Sequence, residues 1–111
     1  MSVSLHSNAT YDRFLRQQPA AVIFFSTAEC GVCQTLKPQV AELLRGRFPR
    51  LAFAEVDCSA APEVAAQHGV FTAPVLVIYF DGQELLRKAR VISLTQLADE
   101  LERPYALYYG T

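Results

Sequence analysis

Two stretches of this 111-residue chain, Ala20–Phe25 and Ala73–Phe80, are apolar without a break. A strand with one face in water alternates apolar and polar side chains, so an unbroken run reads as a strand covered on both faces. Such strands belong to a sheet with helices packed on either side. Ala20–Ser26 is therefore the expected central strand, and Val75–Phe80 a second buried one. Both runs fall far short of the ~20 residues needed to cross a bilayer, so a soluble protein is expected.

The remaining elements follow from periodicity and turn chemistry. Val3–Leu5 reads as a short edge strand. Asn8–Gln18 places Tyr11, Phe14 and Leu15 at helical spacing before Pro19. From Gly31 to about Phe48, the positions Val32, Leu36, Val40, Leu43, Leu44 and Phe48 follow a period near 3.6, and Arg45 and Arg47 sit where the helix dipole favours cations. Pro38 lies inside this helix and predicts a kink near Gln34–Pro38. Leu51–Asp57 is a third strand. Pro62 and Glu63 open a short helix that closes at Gly69. Asp81-Gly82 is the residue pair of a two-residue hairpin turn, which joins Val75–Phe80 to an antiparallel partner over Gln83–Val91. Ser93 and Gln96 have capping-box spacing and Ile92 with Leu97 that of a hydrophobic staple, so the last helix begins at Leu94 and is expected to stop before Pro104. The order predicts an α/β domain over residues 1–111, a central mixed β-sheet flanked by helices on both faces. Residues 103–111 form an aromatic tail, which either folds back on the body or offers a candidate homodimer contact.

Composition narrows the function. Hydrophobic residues make up 51 % and charged residues 19 %, enough for a core without metal or disulfide staples. The net charge of −1 carries no basic run, so neither nucleic acid nor a membrane surface is an expected partner, and small or protein substrates are. The opening segment has no basic and apolar leader pattern, which makes a reducing cytoplasm the expected address. Three cysteines are an odd number for a disulfide framework and direct attention to Cys30 and Cys33.

Cys30-Gly31-Val32-Cys33 falls where the central strand ends and the long helix begins. Unpaired amides and the helix dipole there stabilise an anion, and a thiolate is one. With a pKa near 8.5 only about 3 % of a thiol is ionised at pH 7, and lowering the pKa to about 7 brings this to roughly half. Two residues between the cysteines let both sulfurs bond, the first facing solvent and the second facing inward. Half a zinc site, or two core cysteines at this spacing by chance, are the alternatives that the residues leave open. Thr72-Ala73-Pro74-Val75 is a second candidate element. An Ala73–Pro74 cis bond at the entrance of a buried strand would expose the Ala73 backbone to an extended segment of a bound protein; a strand-terminating trans proline is the alternative. Cys58 is a candidate regulatory thiol or a half-buried bystander. With Cys30, Cys33 and Cys58, His68 would complete a zinc set of poor spacing. His6 and Glu63 are expected to face solvent.

These features together resemble the thioredoxin family over nearly the whole chain. Cys30-Gly31-Val32-Cys33 is similar to its redox motif, Pro38 to its kink proline and Pro74 to its cis-proline, with Val56-Asp57 and Asp81-Gly82 also matching. The resemblance implies a thioredoxin fold and thiol–disulfide exchange with a protein partner, needing no metal or organic cofactor. Cys30 would be the nucleophile and Cys33 the resolving thiol, with Gly31, Val32, Ala73 and Pro74 shaping the substrate groove. Several positions depart from the family pattern. Glu29 stands where a tryptophan is usual and Val32 where a proline is. Phe24 and Phe53 take the places of a buried carboxylate and its lysine, and Arg90 that of a glycine. These losses keep a second reading open, a thioredoxin-fold binding or chaperone-like module for a specific protein, with weak or no redox turnover.

Overall fold

Both unbroken apolar runs become adjacent strands at the middle of one sheet. The computed structural model describes residues 3–110. Met1 and Ser2 of the opening segment and Thr111 of the expected tail lie outside the described residues. The elements run β1 (Val3–Ser4), α1 (Asn8–Gln17), β2 (Ala20–Ser26), α2 (Gly31–Arg47), β3 (Ala52–Asp57), α3 (Pro62–Gln67), β4 (Val75–Phe80), β5 (Gln83–Ala89) and α4 (Leu94–Tyr109). The strand order is β1-β3-β2-β4-β5, with β1 and β2 parallel to β3, and β4 antiparallel to both β2 and β5.

Because successive residues of a strand point to opposite faces, β2 feeds two cores at once. Ala21, Ile23 and Phe25 pack with Tyr11 and Phe14 of α1 and Val64 of α3. Ala20, Val22 and Phe24 pack with Leu36 and Val40 of α2 and Leu97 and Leu101 of α4. All six of these β2 residues are buried, as the absence of polar alternation predicts.

Local chemistry sets the ends. Ser7 and Thr10 form a reciprocal capping box at the start of α1, made with threonine at the third position rather than the usual Glu or Gln. At α4 only half a box forms, the Gln96 amide donating to Ser93 Oγ at 3.2 Å. Asp81 and Gly82 both have positive φ, +57° and +76°, as the tight hairpin requires. Strand β5 ends at Ala89, short of the expected Val91, because Arg90 turns to φ +67°.

The expected stop before Pro104 is overturned: α4 continues through it to Tyr109 and closes at Gly110. Proline here deletes one ladder bond, to the Glu100 carbonyl, and contacts beyond it hold the last turns in place. Tyr105 stacks edge-on against Phe48 with centroids 5.1 Å apart, and its hydroxyl accepts from the Arg50 amide at 3.1 Å. Tyr109 Oη donates to the Arg50 carbonyl at 3.2 Å. The segment read as a tail is thus a helix folded back on the body, leaving Leu107 and Tyr108 exposed.

On the other face Tyr11 Oη and Tyr79 Oη are hydrogen-bonded at 2.7 Å, and the His68 ring stacks on Tyr11 at 3.8 Å. Burial lowers the His68 pKa below its ordinary 6.5, opposed by Asp12 and Glu84 and reinforced by Arg87. The folded protein therefore holds His68 neutral at pH values where the unfolded chain binds a proton. Stability rises with pH through the window ending near 6.5 and falls as pH drops into it. The urea midpoint measured from about pH 7 down to about pH 5.5 is expected to fall further for the wild type than for His68→Phe.

Candidate active site

The segment between β2 and α2 is tied down by its own backbone. The Cys58 amide donates to the Ser26 carbonyl at 2.7 Å, the Ala28 amide to Ser59 Oγ at 3.2 Å and the Cys30 amide to the Thr27 carbonyl at 3.2 Å. Cys30 is the N-cap of α2, in extended conformation, and its sulfur accepts from the Cys33 amide at 3.1 Å. This satisfies one of the helix's unpaired amides with a sulfur in place of the usual hydroxyl or carboxylate. Cys30 and Cys33 are joined as a disulfide, their Cα atoms 5.3 Å apart. Cys33 is 3 % exposed and packs with Phe24 and Leu36, whereas Cys30 is half-buried. Gly31 and Val32 lie on the outside, with open space where a Gly31 side chain would stand.

The Ala73–Pro74 bond is cis, as expected, and the Pro74 carbonyl accepts from the Arg90 amide at 2.9 Å. Pro74 is buried and Ala73 half-buried. Ala73 and Cys30 border one open cavity of about 500 Å³, whose far wall is Pro62 and Ala65 of α3 with Val70 and Phe71 beyond it.

The sequence model of the Thioredoxin family matches residues 2–103. The chain is 37 % identical to the thioredoxin-like protein YdfQ of Bacillus subtilis over 106 residues, 96 % of this chain and 94 % of that one. It is 32 % identical to thioredoxin H2-1 of Oryza sativa over 105 residues, 91 % of this chain and 72 % of the relative. Among solved structures, Fasciola hepatica thioredoxin superposes with a TM-score of 0.81 at 27 % identity, over 91 % of this chain and 97 % of that one. The chain belongs to the thioredoxin family. With its paired cysteines it is a thioredoxin-like thiol–disulfide oxidoreductase.

Within that family its surroundings are unusual. Phe24 and Phe53 face one another edge to face, centroids 6.4 Å apart, where the sequence resemblance places a carboxylate and a lysine. Cys33 consequently sits among apolar side chains. An ion pair joins Lys37 of α2, one helical turn beyond Cys33 in sequence, to Glu55 of β3. Sequence reading missed it, because an ion pair joining residues 18 apart leaves no periodic trace.

Cys58 shares the cavity with Cys30 and packs against the α1/α3 core. Burial pushes its thiol up and the neighbouring Asp57 adds to this, which keeps the sulfur protonated and a poor nucleophile. His68 lies against Tyr11, so the zinc set weighed from sequence does not assemble; among the described residues no cluster of three His, Cys, Asp or Glu could hold a metal. His6 and Glu63 are exposed. Sequence reading also passed over Phe71, 85 % exposed, and Val91, 97 % exposed. Their signal was an apolar residue in the loop before β4 and another in the loop after β5.

Arg90, in the place of a glycine, adopts the left-handed backbone that disfavours a side chain. Arg90→Gly is expected to stabilise the fold by about 1 kcal/mol in urea unfolding, with Arg90→Ala giving no such gain.

Proposed function

We propose that this protein exchanges its Cys30–Cys33 dithiol and disulfide with a cysteine-bearing protein partner. The arrangement that carries this reading is a half-buried sulfur at the N-terminus of α2, bonded to a sulfur buried behind it. In the reducing direction the Cys30 thiolate attacks a partner disulfide, forming a mixed disulfide, and the partner's other sulfur leaves as a thiolate. Cys33 then loses its proton and attacks Cys30 Sγ, releasing the second partner sulfur and leaving Cys30–Cys33 oxidised. The same steps reversed oxidise a dithiol. Gly31 and Val32 let the partner approach Cys30, and Ala73, held by Pro74, offers its backbone to an extended segment.

Phe24 leaves Cys33 without an adjacent base, which makes release of the mixed disulfide the slow step. No helix of the described residues is long and apolar enough to cross a membrane. The third cysteine is unpaired and no disulfide framework exists among the described residues, which supports a reducing, cytoplasmic setting. Tyr105 and Tyr109 are taken up by the body, so the homodimer contact expected of the C-terminal segment narrows to Leu107 and Tyr108.

Trapping tests the exchange and separates it from the binding-module reading. Reduced Cys33→Ser, mixed with an oxidised protein substrate, is expected to accumulate a disulfide-linked adduct through Cys30, seen by mass and dissolved by dithiothreitol. Cys30→Ser should form none and lose turnover. Turnover retained by Cys30→Ser contradicts the proposal.

A further inference from the structure

The cavity beside Cys30 has apolar walls and a single charged side chain at its rim, Glu29. Thr27 and Thr72 are its neutral polar neighbours, and Cys58 is held protonated. Glu29 is exposed, and among the described residues it makes no ion pair, unlike Lys37–Glu55 or Lys88–Glu100. Asp57 and Glu63 are exposed but do not line this cavity, and the Arg90 amide donates to the carbonyl of Pro74, the residue after Ala73. The rim of the cavity beside Cys30 thus carries one unpaired carboxylate over an apolar floor.

Resting on the exchange reading, we infer that the cavity selects the partner: a segment whose reactive cysteine is flanked by an apolar side chain, seated between Pro62, Ala65, Val70 and Phe71, and by a lysine or arginine that meets Glu29. An apolar side chain entering the cavity removes its own surface and that of Phe71 from water. An unpaired carboxylate at the rim attracts a cation and repels an anion, which raises the encounter rate for basic segments and lowers it for acidic ones such as glutathione disulfide. The effect of one exposed charge is modest, about two- to five-fold, and is screened by salt. Glu29 is a specificity-determining residue here, and takes no part in the electron transfer.

The test uses the reduced wild-type chain and short peptides containing Leu-Cys-Lys, Leu-Cys-Gln, Leu-Cys-Glu or Ser-Cys-Lys, each as a mixed disulfide with neutral mercaptoethanol. Each reaction passes two electrons from the protein dithiol to the peptide disulfide, giving the protein disulfide, the peptide thiol and mercaptoethanol. The expected order of second-order rate constants at low salt is Leu-Cys-Lys above Leu-Cys-Gln above Leu-Cys-Glu, with each step about two- to five-fold and the spread collapsing in high salt. Glu29→Gln should flatten the order and Glu29→Lys invert it, while Phe71→Ser should erase the advantage of Leu-Cys-Lys over Ser-Cys-Lys. An order indifferent to charge, an order unchanged in Glu29→Gln, or glutathione disulfide reacting faster than Leu-Cys-Lys overturns the inference. Bis(2-hydroxyethyl) disulfide separates the two levels. If the wild type reduces it yet shows no charge order, the selection fails alone, and if the wild type reduces no disulfide at all, the exchange reading fails with it.

Discussion

Burial of β2 on both faces is the constraint from which the site follows. Residues Ala20–Phe25 contribute to two cores, so the strand cannot shift register without moving apolar side chains into water. Its end is thereby fixed, and with it the few residues that lead into α2. The Cys58 amide on the Ser26 carbonyl and the Ala28 amide on Ser59 Oγ tie those residues to the β3–α3 connection. Cys30 arrives at the helix N-terminus because the rigid strand behind it leaves the chain no other route. The Cys33 amide that meets its sulfur comes from the first turn of the same helix, and the inward side of that turn packs Cys33 into the α2/α4 core.

What was legible from sequence was whatever local physics decides. The lack of polar alternation in Ala20–Phe25 gave the central strand, the Asp81-Gly82 pair gave the hairpin, and proline before Val75 marked the cis bond. The reading failed where distant contacts outweigh a local preference. Pro104 normally ends a helix, yet Tyr105 and Tyr109 find Phe48 and Arg50 waiting, more than fifty positions away, and the helix goes on. The Lys37–Glu55 pair and the stacking of His68 on Tyr11 were invisible for the same reason. At the site the two cysteines and Pro74 could be found by spacing. The cavity could not, because its walls come from three separate stretches of chain that only the fold brings together.

The departures from the family pattern are consistent with one another. Phe24 and Phe53 replace both halves of an ion pair and pack as an aromatic pair, so no unpaired charge is left in the core. The consequence falls on Cys33, which has apolar neighbours where a base would stand. Arg90 carries a side chain in a backbone region that favours glycine, beside the carbonyl of Pro74, and Glu29 brings charge to the rim where a flat aromatic is usual. The fold and the place of Cys30 at the N-terminus of α2 accommodate these changes, which fall on the core behind Cys33 and on the surface beside Cys30.

The central proposal is that Cys30 is the reachable, attacking sulfur and that the buried Cys33 and the protonated Cys58 are not. Brief alkylation of the fully reduced chain with iodoacetamide near pH 7, followed by peptide mass analysis, reads this directly. The account predicts that Cys30 is modified first and at least about tenfold faster than either of the others, as thiolate fraction and access dictate. Equal labelling of the three, or Cys33 or Cys58 labelled ahead of Cys30, would contradict it.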